Sequence, residues 1–147
     1  MSCFKGTRQF GGKDMTLSLT GLATLFIIAV YFWTLMQTGM ARGKYNIQAP
    51  AVSGNPDFER VFRVQNNTLE QIVLFVPVLW VFALFYPHGN GDCIAAVTGF
   101  VFGVSRIIYA LGYYNEAGKR TTGFMIGFVT FIATFMGALY GVIASLG

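Results

Sequence analysis

The stretch FERVFRVQNNTLEQIV at residues 58–73 leads directly into LFVPVLWVFALFY at residues 74–86. The second part contains no charged residue and is typical of a helix inside a lipid bilayer. The first part carries arginines, glutamates and side-chain amides, each of which is costly at membrane depth. A polar segment that continues into an apolar span predicts that its side chains contact protein or a ligand rather than lipid.

Charge is scarce along the whole chain. Of its 147 residues, 54% are hydrophobic and only 11% are charged, against roughly 25% charged in an ordinary soluble domain. Residues 15–41 and 121–147 carry no charge, and a run of about 20 apolar residues spans a bilayer. With the apolar stretches 71–86 and 93–115, these runs predict four transmembrane helices.

The predicted fold is therefore an all-α integral membrane protein, a four-transmembrane-helix bundle over residues 15–147. Residues 1–14 are polar and contain glycine, so we expect a flexible N-terminal tail. The side of the bundle that holds the loops 42–60 and 116–120 carries more lysines and arginines than the other side, so the positive-inside rule places these loops in the cytoplasm. On their side stand Arg42, Lys44, Arg60, Arg63, Lys119 and Arg120, against Lys5, Arg8 and Lys13 on the other. Glycine pairs spaced for close helix packing occur at Gly99/Gly103, Gly123/Gly127 and Gly137/Gly141.

Motifs for other chemistries are missing from the sequence. Cys3 and Cys93 are far apart and His88 is the single histidine, so no zinc site is indicated. No GxSxG, Walker or dinucleotide-binding pattern stands in a suitable context. We therefore expect no metal, no catalytic triad and no nucleic-acid partner.

Two predicted helices carry a polar stripe near the same end of the bundle. Residues spaced by three, four or seven positions share one face of a helix. The stripe of the second helix comprises Arg63, Asn67 and Glu70. The stripe of the third helix comprises Arg106, Tyr109 and Tyr113. Both stripes must face protein or a water-filled cavity.

Two interpretations of these stripes remain open. In one, Glu70 neutralises an arginine in a structural ion pair while other arginines reach the lipid headgroups. In the other, which we favour, an anionic ligand binds, because arginines outnumber acids at this boundary. A ligand with carboxylates, a free amine and peptide bonds would match arginine, glutamate and amide side chains.

Two sequence blocks carry a resemblance to a known family. FERVFRVQNNTLEQ at 58–71 and SRIIYALGYYNEAGKR at 105–120 resemble the signatures of the microsomal glutathione transferases, membrane-associated proteins of eicosanoid and glutathione metabolism. With ARGKYNIQAP at 41–50, the chain is most similar to the type 3 branch. The resemblance implies a homotrimer of four-helix protomers, in the endoplasmic reticulum or a bacterial inner membrane. Glutathione would bind between protomers near the cytoplasmic face.

The resemblance also implies roles for individual residues. Glutathione ligands from one protomer would be Arg63, Asn67, Glu70, Arg106, Tyr109 and Tyr113. Arg42 and Gln65 match positions that reach in from a neighbouring protomer. Arg120 matches the arginine beside the glutathione sulfur and is the expected catalytic residue. Gln71 and Ile108 replace a tyrosine and an arginine of the leukotriene C4 synthase branch, which weakens that more specific assignment.

The expected activity is that of a glutathione transferase. Glutathione is a cosubstrate whose thiolate, stabilised by Arg120, would attack a lipophilic electrophile from the bilayer or reduce a lipid hydroperoxide. The alternatives are a non-enzymatic lipid-presenting scaffold of the same fold, a leukotriene C4 synthase-like enzyme, or a channel for organic anions. Retention of both polar stripes argues against the scaffold, and their clustering at one end argues against a continuous pore.

Overall fold

The computed structural model describes residues 8–10, 13–15, 17–87 and 89–146. Its helices are α1 (Ser18–Tyr45), α2 (Pro56–Phe85), α3 (Gly91–Asn115) and α4 (Thr121–Leu146), with a short 3-10 helix at Ala117–Arg120. An antiparallel strand pair, β1 (Arg8–Phe10) and β2 (Lys13–Met15), precedes them. Cys3, His88 and residues 1–7, 11 and 12 of the predicted tail lie outside the described residues, so the flexibility of that tail stays a prediction.

Within the described residues, four helices are long and apolar enough to cross a membrane, which confirms the predicted all-α four-helix class. The loop 46–55 and the 3-10 helix join consecutive helices at one end of the bundle, and residues 86–90 join α2 to α3 at the other. Large apolar side chains remain exposed along all four helices, as expected of a surface that faces acyl chains.

The polar segment at residues 58–71 lies in the first half of α2. Asn55 caps the helix, because its side-chain oxygen accepts hydrogen bonds from the backbone N–H groups of Asp57 (2.9 Å) and Phe58 (3.3 Å). Pro56 occupies the first turn, where its missing N–H costs nothing. The helix therefore begins well before the apolar run, and residues 58–71 are presented on a continuous helical surface.

Close contacts hold the helices together at the glycines of the paired motifs. At Gly123 in α4, an added Cβ would lie 2.3 Å from the backbone nitrogen of Tyr109 in α3. Gly99 and Gly103 of α3 similarly face Ala23 and the Phe26 ring of α1. Because no side chain intervenes at Gly123, the start of α4 packs directly on the part of α3 that carries Tyr109.

The apolar core occupies the centre of the bundle. The rings of Phe75 in α2 and Phe102 in α3 stack with their centres 3.9 Å apart, and both side chains are fully buried together with Ile27 and Leu79. This packing fixes α2 against α3, and it therefore sets the relative position of the two polar stripes, which lie about one to three helical turns away.

Candidate functional site

The two polar stripes meet across the interface of α2 and α3. Asn67 Nδ2 of α2 donates a hydrogen bond of 2.7 Å to Tyr109 Oη of α3. On the next residue of α2, Thr68 Oγ1 accepts a hydrogen bond of 3.2 Å from Arg106 Nη2. Asn67 and Thr68, which are consecutive residues of α2, therefore bind Tyr109 and Arg106, which lie about one turn apart on α3.

Arg106 is the most unusual side chain of this region, because it is a cation that is only 2% exposed. Its guanidinium carbon lies 4.0 Å from the centre of the Tyr109 ring, a cation–π contact. Its Nε has no hydrogen-bond partner, and within the described ranges no carboxylate forms an ion pair with it. A buried cation with spare donors is well suited to an anion.

A cavity of about 160 Å³ opens beside this arginine. Its lining comprises Asn67, Glu70, Gln71, Arg106, Tyr109 and Phe124. The structure therefore brings together four of the expected glutathione ligands, contributed by α2 and α3. The lining contains a cation from α3 (Arg106), an acid from α2 (Glu70) and two side-chain amides (Asn67 and Gln71). Such an arrangement can bind a zwitterion that also contains amide bonds.

Tyr113 and Arg120 extend the site from the cavity towards the end of the bundle. The Tyr113 ring stacks on the Tyr109 ring with 5.8 Å between centres. The guanidinium carbon of Arg120, in the 3-10 helix, lies 4.9 Å from the centre of the Tyr113 ring. Arg120 is exposed and Tyr113 is buried, so the arginine covers the outer face of the tyrosine pair.

The remaining expected ligands lie away from the cavity in a single protomer. Arg42 Nη1 donates a hydrogen bond of 2.8 Å to the carbonyl oxygen of Ala51, and its guanidinium carbon lies 5.1 Å from the centre of the Phe58 ring. Arg63 is exposed and Gln65 is half-buried on α2. One protomer does not bring these three side chains to the cavity.

Glu70 is exposed and lines the cavity. The ion pairs of the described part of the chain are Arg60–Asp57 and Lys119–Glu116, and neither involves Glu70. Within a protomer, therefore, Glu70 is not the structural counter-ion that one of the two sequence-based interpretations required. Its carboxylate is available to a ligand or to another chain.

Thr68 and Phe124 take part in this region although the sequence analysis singled out neither. Thr68 lies between Asn67 and Glu70 in the sequence. A hydroxyl side chain inside this polar segment is the one sequence feature that could have identified it as part of the site. Phe124 lies in the first turn of α4, and one phenylalanine among the many apolar residues of that helix gives no signal. Its place at the cavity depends on how α4 packs on α3.

Comparison with known proteins gives a consistent picture. The sequence model of the MAPEG family matches residues 20–140. An uncharacterized protein of Synechocystis sp. is 43% identical over 128 residues, covering 87% of this chain and 88% of that protein. Microsomal glutathione S-transferase 2 of Bos taurus is 40% identical over 105 residues, covering 71% and 69%. Leukotriene C4 synthase of Mus musculus is 34% identical over 106 residues, covering 72% and 68%.

These matches confirm the family expected from the two sequence blocks. The relatives named here are a type 2 transferase and a leukotriene C4 synthase, so the finer placement beside the type 3 branch stays a prediction. The Synechocystis protein, although it is 43% identical, carries no assigned activity.

Proposed function

Because this chain belongs to the MAPEG family, we propose that it is a membrane-bound glutathione transferase that conjugates glutathione to lipophilic electrophiles. It is a multi-pass membrane protein with four spanning helices, and its relatives include a protein named as a glutathione transferase. The specific activity of this chain and the roles of its individual residues are what we propose. The chemistry of the side chains at the cavity supports both.

The observation that carries the proposal is that Arg106 and Glu70 line the same cavity. Glutathione is a tripeptide with two carboxylates, one ammonium group and one thiol. The buried guanidinium of Arg106 suits a carboxylate, and Glu70 suits the ammonium group. The side-chain amides of Asn67 and Gln71 also line the cavity and match the peptide bonds of glutathione.

The cavity of one protomer accounts for only part of such a ligand. Its volume of about 160 Å³ lies below the roughly 300–1,000 Å³ of typical small-molecule sites. In the homotrimer that we propose, Arg42 and Gln65 of a neighbouring protomer would supply the missing wall. Burial of α2 in that interface would also remove Glu70 and Arg63 from lipid, where charges are costly.

Arg120 is the proposed catalytic residue. A free thiol has a pKa near 8.5, so only a few per cent is thiolate at pH 7. A guanidinium beside the sulfur stabilises the anion, and lowering the thiol pKa by about two units contributes roughly 2.7 kcal/mol. The thiolate then forms a carbon–sulfur bond with the electrophile as the leaving group departs with its electron pair. Since the nucleophile comes from glutathione, no protein nucleophile is needed.

The second substrate would approach from the bilayer. Phe124 lines the cavity and is 43% exposed on α4, so an apolar surface adjoins the polar site. A lipophilic electrophile dissolved among acyl chains could reach the thiolate along this side without crossing water. Following the positive-inside rule, we place the site towards the cytoplasm.

Turnover by the purified protein tests the proposal. We expect the protein in detergent to conjugate glutathione to an aryl halide, and a second reaction with a fatty-acid hydroperoxide determines whether it also reduces peroxides. Arg106→Gln should weaken glutathione binding, whereas the control Arg60→Gln, which breaks the ion pair with Asp57, should not. Glutathione binding without turnover of either substrate would favour a lipid-presenting scaffold. Absence of glutathione binding would overturn the proposal.

A further inference from the structure

Thr68 is a buried threonine whose hydroxyl oxygen accepts a hydrogen bond from an arginine of another helix, whereas the hydroxyl of buried Thr20 donates to the Asp92 carboxylate. Thr38 in α1 and Thr134 in α4 donate their hydroxyl protons to the carbonyl oxygen four residues earlier in the same helix, at 3.2 and 2.8 Å. No such bond joins Thr68 to the α2 backbone in the part of the chain described. Its oxygen instead accepts from Arg106 of α3, and the residue is completely buried.

The bond to Thr68 fixes one edge of the Arg106 guanidinium. The side-chain hydroxyl accepts a hydrogen bond from Nη2, and the guanidinium carbon lies 4.0 Å from the centre of the Tyr109 ring. A directional hydrogen bond and a cation–π contact together restrict the orientation of a planar guanidinium. The Nε edge has no partner within the described residues, and Arg106 lines the cavity.

We propose that Thr68 is the positioning residue for Arg106, holding the guanidinium so that its remaining N–H donors meet a carboxylate of the ligand. The inference rests on the proposed function and adds a residue that touches no ligand itself, since Thr68 is buried behind Arg106 and is not part of the cavity lining. Without the hydroxyl, the guanidinium keeps its charge but loses its orientation, and a bidentate contact depends on orientation.

Thr68→Val is the direct test, because it replaces the hydroxyl by a methyl group of similar size. We expect glutathione affinity, measured by calorimetry on the detergent-solubilised protein, to fall roughly 10-fold, the loss typical of one hydrogen bond to a charged group. Thr68→Ser should restore the affinity. Thr134→Val serves as the matched control, since it removes a buried hydroxyl remote from the cavity.

Kinetics distinguish positioning from a general loss of packing. Carboxylate binding contributes equally to the ground state and the transition state, so Thr68→Val should raise KM for glutathione and leave kcat unchanged. A structural defect would instead lower the melting temperature and kcat together, without rescue by serine. That result would overturn the inference.

A double-mutant comparison shows whether Thr68 acts through Arg106. In an Arg106→Gln background, Thr68→Val should have no additional effect on glutathione affinity. If Arg106→Gln does not fold, glutathione with its carboxylates converted to amides replaces that variant, and its binding should be insensitive to Thr68→Val. Equal affinity of Thr68→Val and wild type for glutathione would overturn the positioning role alone. Failure of the wild type to bind glutathione would overturn the proposed function and this inference with it.

Discussion

Arg120 lies over Tyr113, with its guanidinium carbon 4.9 Å from the centre of the tyrosine ring. Tyr113 in turn stacks on Tyr109, which borders the cavity. The two arginines of this end therefore contact different members of one stacked pair, Arg106 at Tyr109 and Arg120 at Tyr113. In the proposed function, Arg106 binds a carboxylate of glutathione and Arg120 stabilises the thiolate.

Replacing Arg120 by alanine should lower turnover much more than glutathione binding. If the arginine lowers the thiol pKa by about two units from about 8.5, its loss should reduce the thiolate fraction and kcat roughly 25-fold at pH 7. The ultraviolet absorbance of the enzyme-bound thiolate should fall in parallel. Lys119→Ala is the control, because Lys119 is an exposed neighbour paired with Glu116. An undiminished thiolate band in Arg120→Ala would assign the role to another group.

Glu70→Gln separates a ligand-binding role from a structural one. Because Glu70 has no ion pair within the described part of a protomer, we expect the melting temperature without ligand to change little. Loss of a charge-assisted bond to the ligand ammonium, about 1.5–3 kcal/mol, should weaken glutathione binding roughly 10- to 100-fold. Glu116→Gln, in the exposed loop, is the matched control. Lower stability with unchanged affinity would contradict the binding role.

Asp92 should stabilise the fold from the end opposite the cavity. Its carboxylate accepts hydrogen bonds from the backbone nitrogens of Leu19 (3.2 Å) and Thr20 (2.8 Å) and from the Thr20 hydroxyl (2.7 Å). It thereby caps the first turn of α1, which has no side-chain cap of its own. Asp92→Ala should reduce the free energy of unfolding by about 1–3 kcal/mol.

The neighbouring exposed residue provides the control for that experiment. Cys93→Ser should leave the melting temperature unchanged, since Cys93 is a free and exposed cysteine. Glutathione affinity of folded Asp92→Ala should stay close to that of wild type, because the cavity lies at the other end of α3. Equal melting temperatures for Asp92→Ala and wild type would refute the capping role.

Gly123→Ala should disturb both stability and the site. The new methyl group would lie 2.3 Å from Tyr109 N and 2.7 Å from the carbonyl oxygen of Ser105, so α4 must move away from α3. Overpacking of this kind typically costs about 1–3 kcal/mol. Gly21→Ala is the control, because an added Cβ there meets nothing within 4 Å. The melting temperature and the glutathione affinity of Gly123→Ala should therefore both fall, whereas those of Gly21→Ala should stay close to the wild-type values.

We predict that the protein assembles as a homotrimer, which would cover the charged residues exposed along α2. Glu70 lies about 21 Å along the helix from Pro56, at 1.5 Å per residue, and it is exposed in a single protomer. A neighbouring protomer would cover this surface and avoid the cost of a charge in lipid. Native mass spectrometry in mild detergent should show three chains. A fully active monomer would contradict both the assembly and the shared site.

The sequence determined the four helices, because hydrophobic runs and helical periodicity are local properties of the chain. Runs without charge predicted α1 and α4. The spacing of Arg63, Asn67 and Glu70 by itself placed these residues on one face of α2. The two sequence blocks around these stripes were also enough to identify the family. Each of these conclusions depends on residues that are close together in the chain.

Only the tertiary structure decided which side chains of different helices meet. Asp92 caps a helix whose first residues precede it by more than 70 positions, and Thr68 rather than an acid contacts Arg106. Arg42 lies against Ala51 and Phe58 instead of the cavity of its own protomer. Such contacts depend on the rotation and axial offset of whole helices. Close backbone packing, as at Gly123, sets both, and helical periodicity carries no information about either.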